Sequence, residues 1–556
     1  MTDRRQYVLA CLSVFAVAVG MRTLTLYWSP LPATLDGFGY AALARDTIAV
    51  GRFPLSRFRA DNIGFAGLLS IVSMIIDRKP LYVAQPLVSV IGAASCLTAV
   101  ALVRRAGRNF DWPGREVRLA ATLVGFSLAI EGLYLRRTGV ADEEVIGLLL
   151  VPLLALVFHR TLQTHRLSWG GLTAVFMFAF PLTHTFSTLI AGLVVIGVLA
   201  AHLFQVPSSR TGLLGLGLVG GFWSYFGIYY QLAEQTGLLL VPYVGRILSY
   251  PGLFVAWVIL LVVGIGWFPR TSTRLKRIGF LLVVGGGFAV LIANVFTPIF
   301  PETVATPRPL LFLLLLFVIP VILASQSLPL LSQEHSVGVI FLALLAAPIA
   351  QIYFSLTAAL TPEFFATVMR TQTFAHFPVF ALAGLAMIRY VSPRLSPLTG
   401  ITGHLSFKTV IVGLFVASVV LTAPIAFINL DTVSHPSTTA ESEFATVSFA
   451  AAHVDEQWTG GHSITRIGAN YYPTRATVVI EPTATWLASG PSPACPAISQ
   501  QSWTTTGAHL FPAPPATVSK QTYAAWLARR NLIYAATGRD PLSITIARTD
   551  TGEGCK

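Results

Sequence analysis

Charge is what this chain has least of. Only 11% of its 556 residues are Asp, Glu, Lys or Arg, against roughly 25% in soluble globular proteins. With 54% hydrophobic residues and a mean hydropathy of +0.70, that shortage excludes a water-soluble fold and predicts a polytopic membrane protein. Acidic residues are the scarcer sign, 24 against 37 basic ones, leaving a formal net charge of +13 carried mostly by arginine. A nucleic-acid binder would gather such charge in one domain with interleaved aromatics. Here the cations lie in short loops between apolar runs, which excludes nucleic acid as a partner and reads as topology signals facing anionic lipid. Cysteine is also scarce, four in all, and none has metal-ligand spacing. Cys11 and Cys96 sit in apolar runs as packing residues. No internal repeat is strong enough to suggest an inverted-repeat transporter.

What is present is a succession of long apolar runs. The first, Tyr7 to Trp28, follows the basic flank Thr2-Asp3-Arg4-Arg5-Gln6. A cleavable signal peptide begins similarly, but about 20 apolar residues suffice to span, so a retained first helix is expected. Further runs lie near 81–103, 118–135, 145–159, 168–183, 186–206, 212–230, 250–268, 278–297, 309–325, 336–355, 376–391 and 409–428. The expected fold is therefore an all-α polytopic bundle of about thirteen transmembrane helices over residues 1–428.

Arginine placement orients it. With the N-terminus cytoplasmic, the inner loops hold Arg104, Arg105, Arg108, Arg115 and Arg118, then Arg160 and Arg166, then Arg210. Arg270, Arg274, Lys276 and Arg277 follow, and finally Arg389, Arg394 and Lys408. The apolar stretch Asn62 to Ile76 is short and flanked by Asp61 and Asp77-Arg78-Lys79. Counting it as a span would invert every later loop, so it is read as an interfacial or re-entrant helix in the first outer loop, 29–80. An odd helix count then places residues 429–556 outside the cell membrane. This tail opens with a Ser/Thr/Pro linker, Thr432 to Thr439. Strand-like runs follow at Ala476 to Ile480 and Ser543 to Ala547, with helical spacing at Tyr523, Trp526 and Leu527. A small extracytoplasmic mixed α/β domain is expected, where Cys495 and Cys555 can pair.

Two acidic sites stand just outside membrane helices. One is Asp36, in Asp36-Gly37-Phe38-Gly39-Tyr40, directly after the first run; the other is Asp142-Glu143-Glu144, directly before a later one. Carboxylates at a membrane face are costly unless they are used. Asp36 is followed by an apolar stripe at helical spacing (Tyr40, Leu43, Ala44, Thr47, Ile48) and by Arg45, Arg52, Arg57 and Arg59, which break the positive-inside bias. Cations around a carboxylate suit an anionic headgroup such as a lipid phosphate. The plainer reading makes Asp36 an N-cap and lets the arginines snorkel to phospholipid. The acidic triplet equally complements a helix dipole. Glu131 lies inside an apolar run and is followed by Arg136-Arg137, either of which it could pair with.

Acidic, aromatic, Arg, Gly (Asp36, Tyr40, Arg45, Gly51) after a first membrane helix resembles the first outer loop of the GT-C glycosyltransferases. Asp142-Glu143-Glu144 before the fourth helix resembles the second acidic motif, Asp-x-Glu, of oligosaccharyltransferase catalytic subunits in that superfamily. The helix count, the cytoplasmic start and the outer C-terminal domain are similar too. The resemblance implies transfer of a sugar from a polyprenyl-phosphate-linked donor to an acceptor (glycan, lipid or protein) on the outer face, among membrane lipids. It implies Asp36 as the catalytic group at the acceptor nucleophile, with Asp142 and Glu144 as ligands of a divalent cation, Mg²⁺ or Mn²⁺. Arg370 and Arg308, at late outer positions, are then candidates for the donor phosphate, Arg370 preferred. His184, at an outer helix turn, could reach the same place or merely satisfy a helix end. Tyr40, Arg45, Glu131 and Glu143 complete the candidate set, and Glu302 faintly resembles a further family carboxylate. One departure counts against peptide as acceptor: the Trp-Trp-Asp motif of oligosaccharyltransferases is missing. The competing expectation is a secondary transporter of an anionic solute, which predicts ionisable residues and broken helices near the bilayer midplane.

Overall fold

The protein is described from a computed structural model that covers residues 3–239, 242–301, 303, 308–332, 337–392, 395, 405–428, 438–474, 477–511, 513–548 and 555. Glu302, Arg394 and most of the Thr432–Thr439 linker lie outside those residues.

Helices dominate. The first part of the chain forms α1 (Asp3–Thr23), α2 (Leu35–Val50), α3 (Ile63–Ile75), α4 (Pro80–Asn109), α5 (Gly114–Ile130), α6 (Gly132–Thr138) and α7 (Glu144–Thr164). There follow α8 (Leu167–Thr183), α9 (Thr185–Gln205), α10 (Ser209–Gln235), α11 (Pro242–Ser249), α12 (Pro251–Trp267) and α13 (Thr273–Phe296). The bundle closes with α14 (Arg308–Leu315), α15 (Val318–Ser327), α16 (Gly338–Ala358), α17 (Pro362–Val391) and α18 (Leu405–Thr422). Among the described residues eleven helices are long and apolar enough to cross a membrane, or twelve if the pair α5–α6, bent by 70°, counts as one span.

Helix α8 has only 17 residues, about 26 Å at 1.5 Å per residue, and is a shorter apolar helix beside these spans. Before it, His165 bonds Thr211 at one end. After it, Thr185 bonds Asp61 of the first long loop at the other. The thirteen runs read from the sequence thus correspond to eleven spans, one bent pair and this short helix. Helix α3 is a 13-residue apolar helix packed on α2 and α4, as expected of a segment that stays at one face.

The α5–α6 break has an electrostatic cause. Glu131 ends α5 and caps α6, accepting from the backbone N–H of Leu133 at 2.7 Å and of Tyr134 at 3.0 Å, which satisfies two of the orphan donors of the new helix. The break falls after 17 residues of α5, and there Glu131 also meets His376 of α17 at 3.0 Å.

The C-terminal unit is mixed α/β. It contains α19 (Glu441–His453), α20 (His462–Tyr471), α21 (Glu481–Leu487) and α22 (Lys520–Ala528). Its strands are β1 (Trp458–Gly460), β2 (Val478–Val479), β3 (Ala497–Gln500), β4 (Ala508–Leu510), β5 (Ala513–Ala516), β6 (Arg530–Ala536) and β7 (Leu542–Ala547). Five strands form one sheet in the order β2-β1-β3-β7-β6, with β1 parallel to β2 and β3 and the remaining pairs antiparallel. Trp458 and Trp503 are fully buried beneath it. Cys495 and Cys555 form a disulfide.

This unit docks on the first loop. Phe38 and Ala42 of α2 share one apolar cluster with Val447, Ile464 and Tyr471. Asn470 donates to the carbonyl of Leu35 at 2.9 Å. The loop after α1 and the C-terminal unit therefore occupy the same face, which an odd number of crossings requires.

Candidate active site

Asp36 sits in the first turn of α2, whose N-cap is Thr34. The N-cap reading is thus corrected: Asp36 is free of the helix end and points outward, meeting Arg466 Nη2 of α20 at 3.2 Å through Oδ1. The second acidic site forms a hook between α6 and α7. Asp142 Oδ1 accepts from the Glu144 backbone N–H at 3.2 Å, which begins α7 and leaves Asp142 facing open space.

The next two carboxylates turn inward. Glu143 is held by Arg59 at 2.6 Å, and the same guanidinium reaches Asp61 at 3.3 Å. Glu144 is fully buried, and neither of its oxygens has a hydrogen-bond partner. Its charge is met at longer range by Arg137 at 4.0 Å and by Arg370 of α17 at 3.9 Å. Two guanidiniums around one carboxylate leave an excess of positive charge at the surface above it. Tyr243 of α11 lies under Arg370, with the guanidinium carbon 6.0 Å from its ring centre.

Asp36, Arg137, Asp142 and Arg370 all open into one cavity of about 460 Å³ between the bundle and the C-terminal unit. His462, Arg466, Gln500 and His509 close it from the other side. Glu144 lies behind the wall and sets the electrostatics of Arg137 and Arg370. No local pattern places the four C-terminal residues here, because their arrival depends on docking of α20 against α2.

The remaining candidates separate. His184 accepts from the Ser187 backbone N–H at 3.3 Å and so caps α9. Burial pushes its imidazole down to about 3, with Asp61 opposing and Arg370, Arg59 and Arg137 adding to the shift. It stands near the arginines as a neutral ring. Tyr40 is buried edge-on against Phe65 at 5.0 Å, a packing contact inside the first loop. Arg45 holds Asp46 at 2.8 Å and lies over the Tyr471 ring at 4.6 Å, tying α2 to the C-terminal unit. Glu131 pairs with His376 at 3.0 Å, not with Arg136 or Arg137, because capping α6 turns it into the bundle. Arg308 is exposed at the start of α14, 5.9 Å from the centre of the Phe296 ring, and does not line the cavity. Of the arginines that break the charge bias, Arg57 pairs with Asp46 and Arg59 with Glu143 and Asp61, so neither is left to snorkel.

Comparison with solved structures identifies the fold. The Archaeoglobus fulgidus oligosaccharyltransferase in complex with Zn and sulfate superposes with a TM-score of 0.52 at 13% identity, over 89% of this chain and 68% of that one. Its apo form gives 0.50 at 11% identity, over 86% and 65%. ArnT from Cupriavidus metallidurans gives 0.35 at 12% identity, over 97% of each chain. The chain thus has a GT-C-like membrane fold and spans about two thirds of the length of the archaeal enzyme. No protein-family model and no curated protein matches it.

The expected divalent cation has a direct test in the donor set. Among the described residues no three His, Cys, Asp or Glu side chains come close enough together to hold an ion. Glu144 faces two arginines and Glu143 a third, so two of the three carboxylates of the second acidic motif already have guanidinium partners. These residues do not fit a resident metal at Asp142 and Glu144.

Proposed function

We propose that the protein is a membrane glycosyltransferase that moves a sugar from a polyprenyl-phosphate-linked donor to an acceptor on the extracytoplasmic face. The observation that carries this reading is the convergence of Asp36, Asp142, Arg137 and Arg370 on one cavity, from positions more than 300 residues apart in the chain. The GT-C-like fold supports the same class.

The chemistry follows from the charges. A glycosyl phosphate breaks at the bond between sugar C1 and the phosphate oxygen, and the bonding pair leaves with the phosphate. That departure needs cations more than a proton donor. Arg370 and Arg137, sharing the single carboxylate of Glu144, are placed to receive the new negative charge in a site partly shielded from water. The acceptor oxygen attacks C1 and its proton passes to Asp36 Oδ2, while Oδ1 stays with Arg466. Asp142 faces the same space and stabilises the oxocarbenium-like sugar. No step here passes through a metal.

The carrier's chain also has a place. An apolar cleft between α13, α15, α16 and α17 is lined by Val284, Phe288, Phe317, Ile349 and Val379. It continues past Leu291 to Phe365 and Met369. Helix α17 is the wall it shares with the polar cavity, with Met369 on the apolar side and Arg370 on the polar one. A headgroup at Arg370 would thus leave its hydrocarbon in the cleft, where each buried CH₂ contributes about 0.8 kcal/mol.

The transporter alternative fits less well. Among the described residues the bent pair is α5–α6, and the Glu131 at its break is spent on a helix cap and on His376 rather than left for a solute. The deciding experiment is transfer of radiolabelled sugar from a synthetic polyprenyl-phosphate sugar in proteoliposomes holding the full chain. Asp36→Asn should remove activity and Arg370→Gln should lower kcat/KM by about 10²–10³, the usual loss of an oxyanion donor. Full activity in both variants, or uptake of free anions with no transfer, would refute the proposal.

A further inference from the structure

The C-terminal unit carries a feature that the transfer chemistry leaves unused. Helix α20 has two faces. Ile464, Ile467, Gly468 and Tyr471 are buried, which is the spacing of a helix packed on a core. His462, Ser463 and Arg466 fall on the other face and line the cavity. Beside them lies an aromatic ledge: the His462 ring is 5.4 Å from Phe511 and 5.1 Å from His509. Phe511 is 48% exposed at the cavity. An aromatic ring left half in water at a polar site has its face available for an apolar surface.

The polar groups around that ledge are held in place. Gln500, from the middle strand β3, donates to Glu443 at 3.2 Å and to Asp540 at 3.0 Å. Ser463 and His509 bond each other at 3.3 Å. The wall is therefore a rigid set of directional groups beside a flat ring, with the Asp36–Arg466 pair at its edge.

We infer that His462, His509 and Phe511 form an acceptor subsite, and that the acceptor it takes is a carbohydrate. A pyranose or furanose ring presents just this pair of surfaces, a C–H face for stacking and a rim of hydroxyls for hydrogen bonds. A peptide would instead seek a free strand edge for its backbone. Two strands reach the cavity: β3 is paired on both sides by β1 and β7, and β4, paired with β5, has helix α20 packed against it. The volume agrees: about 460 Å³ lies in the range of small-molecule sites and suits a donor sugar beside a terminal acceptor sugar. The inference rests on the proposed transfer reaction and names its second substrate.

Saturation-transfer NMR on the full chain in nanodiscs tests it, with methyl glycosides as one probe set and short Asn/Ser/Thr-containing peptides as the other. The expected result is transfer to glycoside ring C–H protons, reduced at least fivefold in Phe511→Ser and His462→Ala and restored in Phe511→Trp. Phe511 is exposed, so its replacement leaves the fold intact even if His462→Ala does not. Asp36→Asn should keep glycoside binding while losing sugar transfer. Glycoside signals that ignore Phe511, or peptide signals that depend on it, would overturn the carbohydrate assignment. Sugar transfer that survives in Asp36→Asn while the Phe511 effect persists would sink the proposed base and leave the ledge standing.

Discussion

Arg466 of the C-terminal unit donates to Asp36, the candidate base, across 430 residues of sequence, at 3.2 Å. Both partners are about half exposed, 50% and 45%. A solvated pair of this kind contributes little to stability, about 0–1 kcal/mol. Arg466→Ala is therefore expected to leave the thermal midpoint of the full chain almost unchanged while lowering sugar transfer at least tenfold. Arg466→Lys should restore part of it. A large loss of stability would make the pair a structural tether instead.

Glu144 should behave in the opposite way. Its buried carboxylate is the shared counter-charge of Arg137 and Arg370, and truncating a buried charge leaves its partners uncompensated. Glu144→Ala is expected to destabilise the protein by about 1–3 kcal/mol, less than for a fully buried pair because Arg137 and Arg370 stay 28% and 29% exposed. Arg137→Gln should cost much less, because Arg370 remains. Denaturation of the two purified variants in detergent distinguishes them, and equal losses would contradict this account of the site.

His184 yields a pH prediction. Burial holds its folded value near 3, below the ordinary value of 6.5. The unfolded chain therefore binds this proton first as pH falls, and stability fully present above about 6.5 is lost progressively toward 3. His184→Gln should flatten the fall in thermal midpoint over that window. Because the ring stays neutral above it, sugar transfer should show no inflection from His184 between pH 5 and 8. An activity step near pH 6.5 that disappears in His184→Gln would show a titrating, functional histidine.

These contrasts mark how far the sequence could be read. Asp36, Asp142 and Arg370, which line one cavity, stand out in the sequence because carboxylates and late arginines beside apolar runs are costly. The apolar runs are legible because spanning length is a local property; among the described residues eleven of the thirteen are spans, one is the bent pair and α8 falls short. For Tyr40 and Arg45 the spacing is ambiguous, because an aromatic and an arginine on an amphipathic helix repeat alike whether they face substrate or a docked domain. The structure gives both to packing, on Phe65 and Tyr471. Arg466, His462 and Phe511 carried no local signal at all. Their role comes from the contact of α20 with α2, which is set by tertiary packing. Arg137 was seen only as a possible partner for Glu131, since the bend at Glu131 that sends the two apart is a cap no spacing rule anticipates.

The disulfide closes a separation of 60 residues between Cys495 and Cys555. In the chain-entropy account a loop of that length is worth about 4 kcal/mol. Arg530 reinforces the same place, donating to the carbonyls of Pro493 and Cys495. Reduction should therefore loosen the C-terminal unit before the bundle. Hydrogen exchange with and without a reductant should show faster exchange in β6 and β7 and none in α9 or α16. Uniform exchange changes, or two free thiols under non-reducing mass spectrometry, would contradict this.

Gly92 makes the last case, because it holds the cavity's floor from a distance. Arg22 is buried at the end of α1 and donates to Thr138 Oγ1 through Nη2 at 2.6 Å and Nε at 3.1 Å. Gln85 of α4 donates to the Gly139 carbonyl at 2.6 Å. Together they fasten the turn that carries Arg137 at one end and Asp142 at the other. That approach is possible only because Gly92 has no side chain: a Cβ there would run into the Thr138 carbonyl and lie 2.8 Å from Arg22 Nε. The obstacle is backbone, so it cannot swing aside, and overpacking of this kind costs about 1–3 kcal/mol. Gly92→Ala is expected to lower stability by that amount and to reduce transfer by displacing Arg137 and Asp142. Gly20→Ala, in the same bundle but with nothing within 4 Å of its new methyl, should do neither. If the two variants behave alike in thermal unfolding and in transfer, the turn is not what positions these two residues.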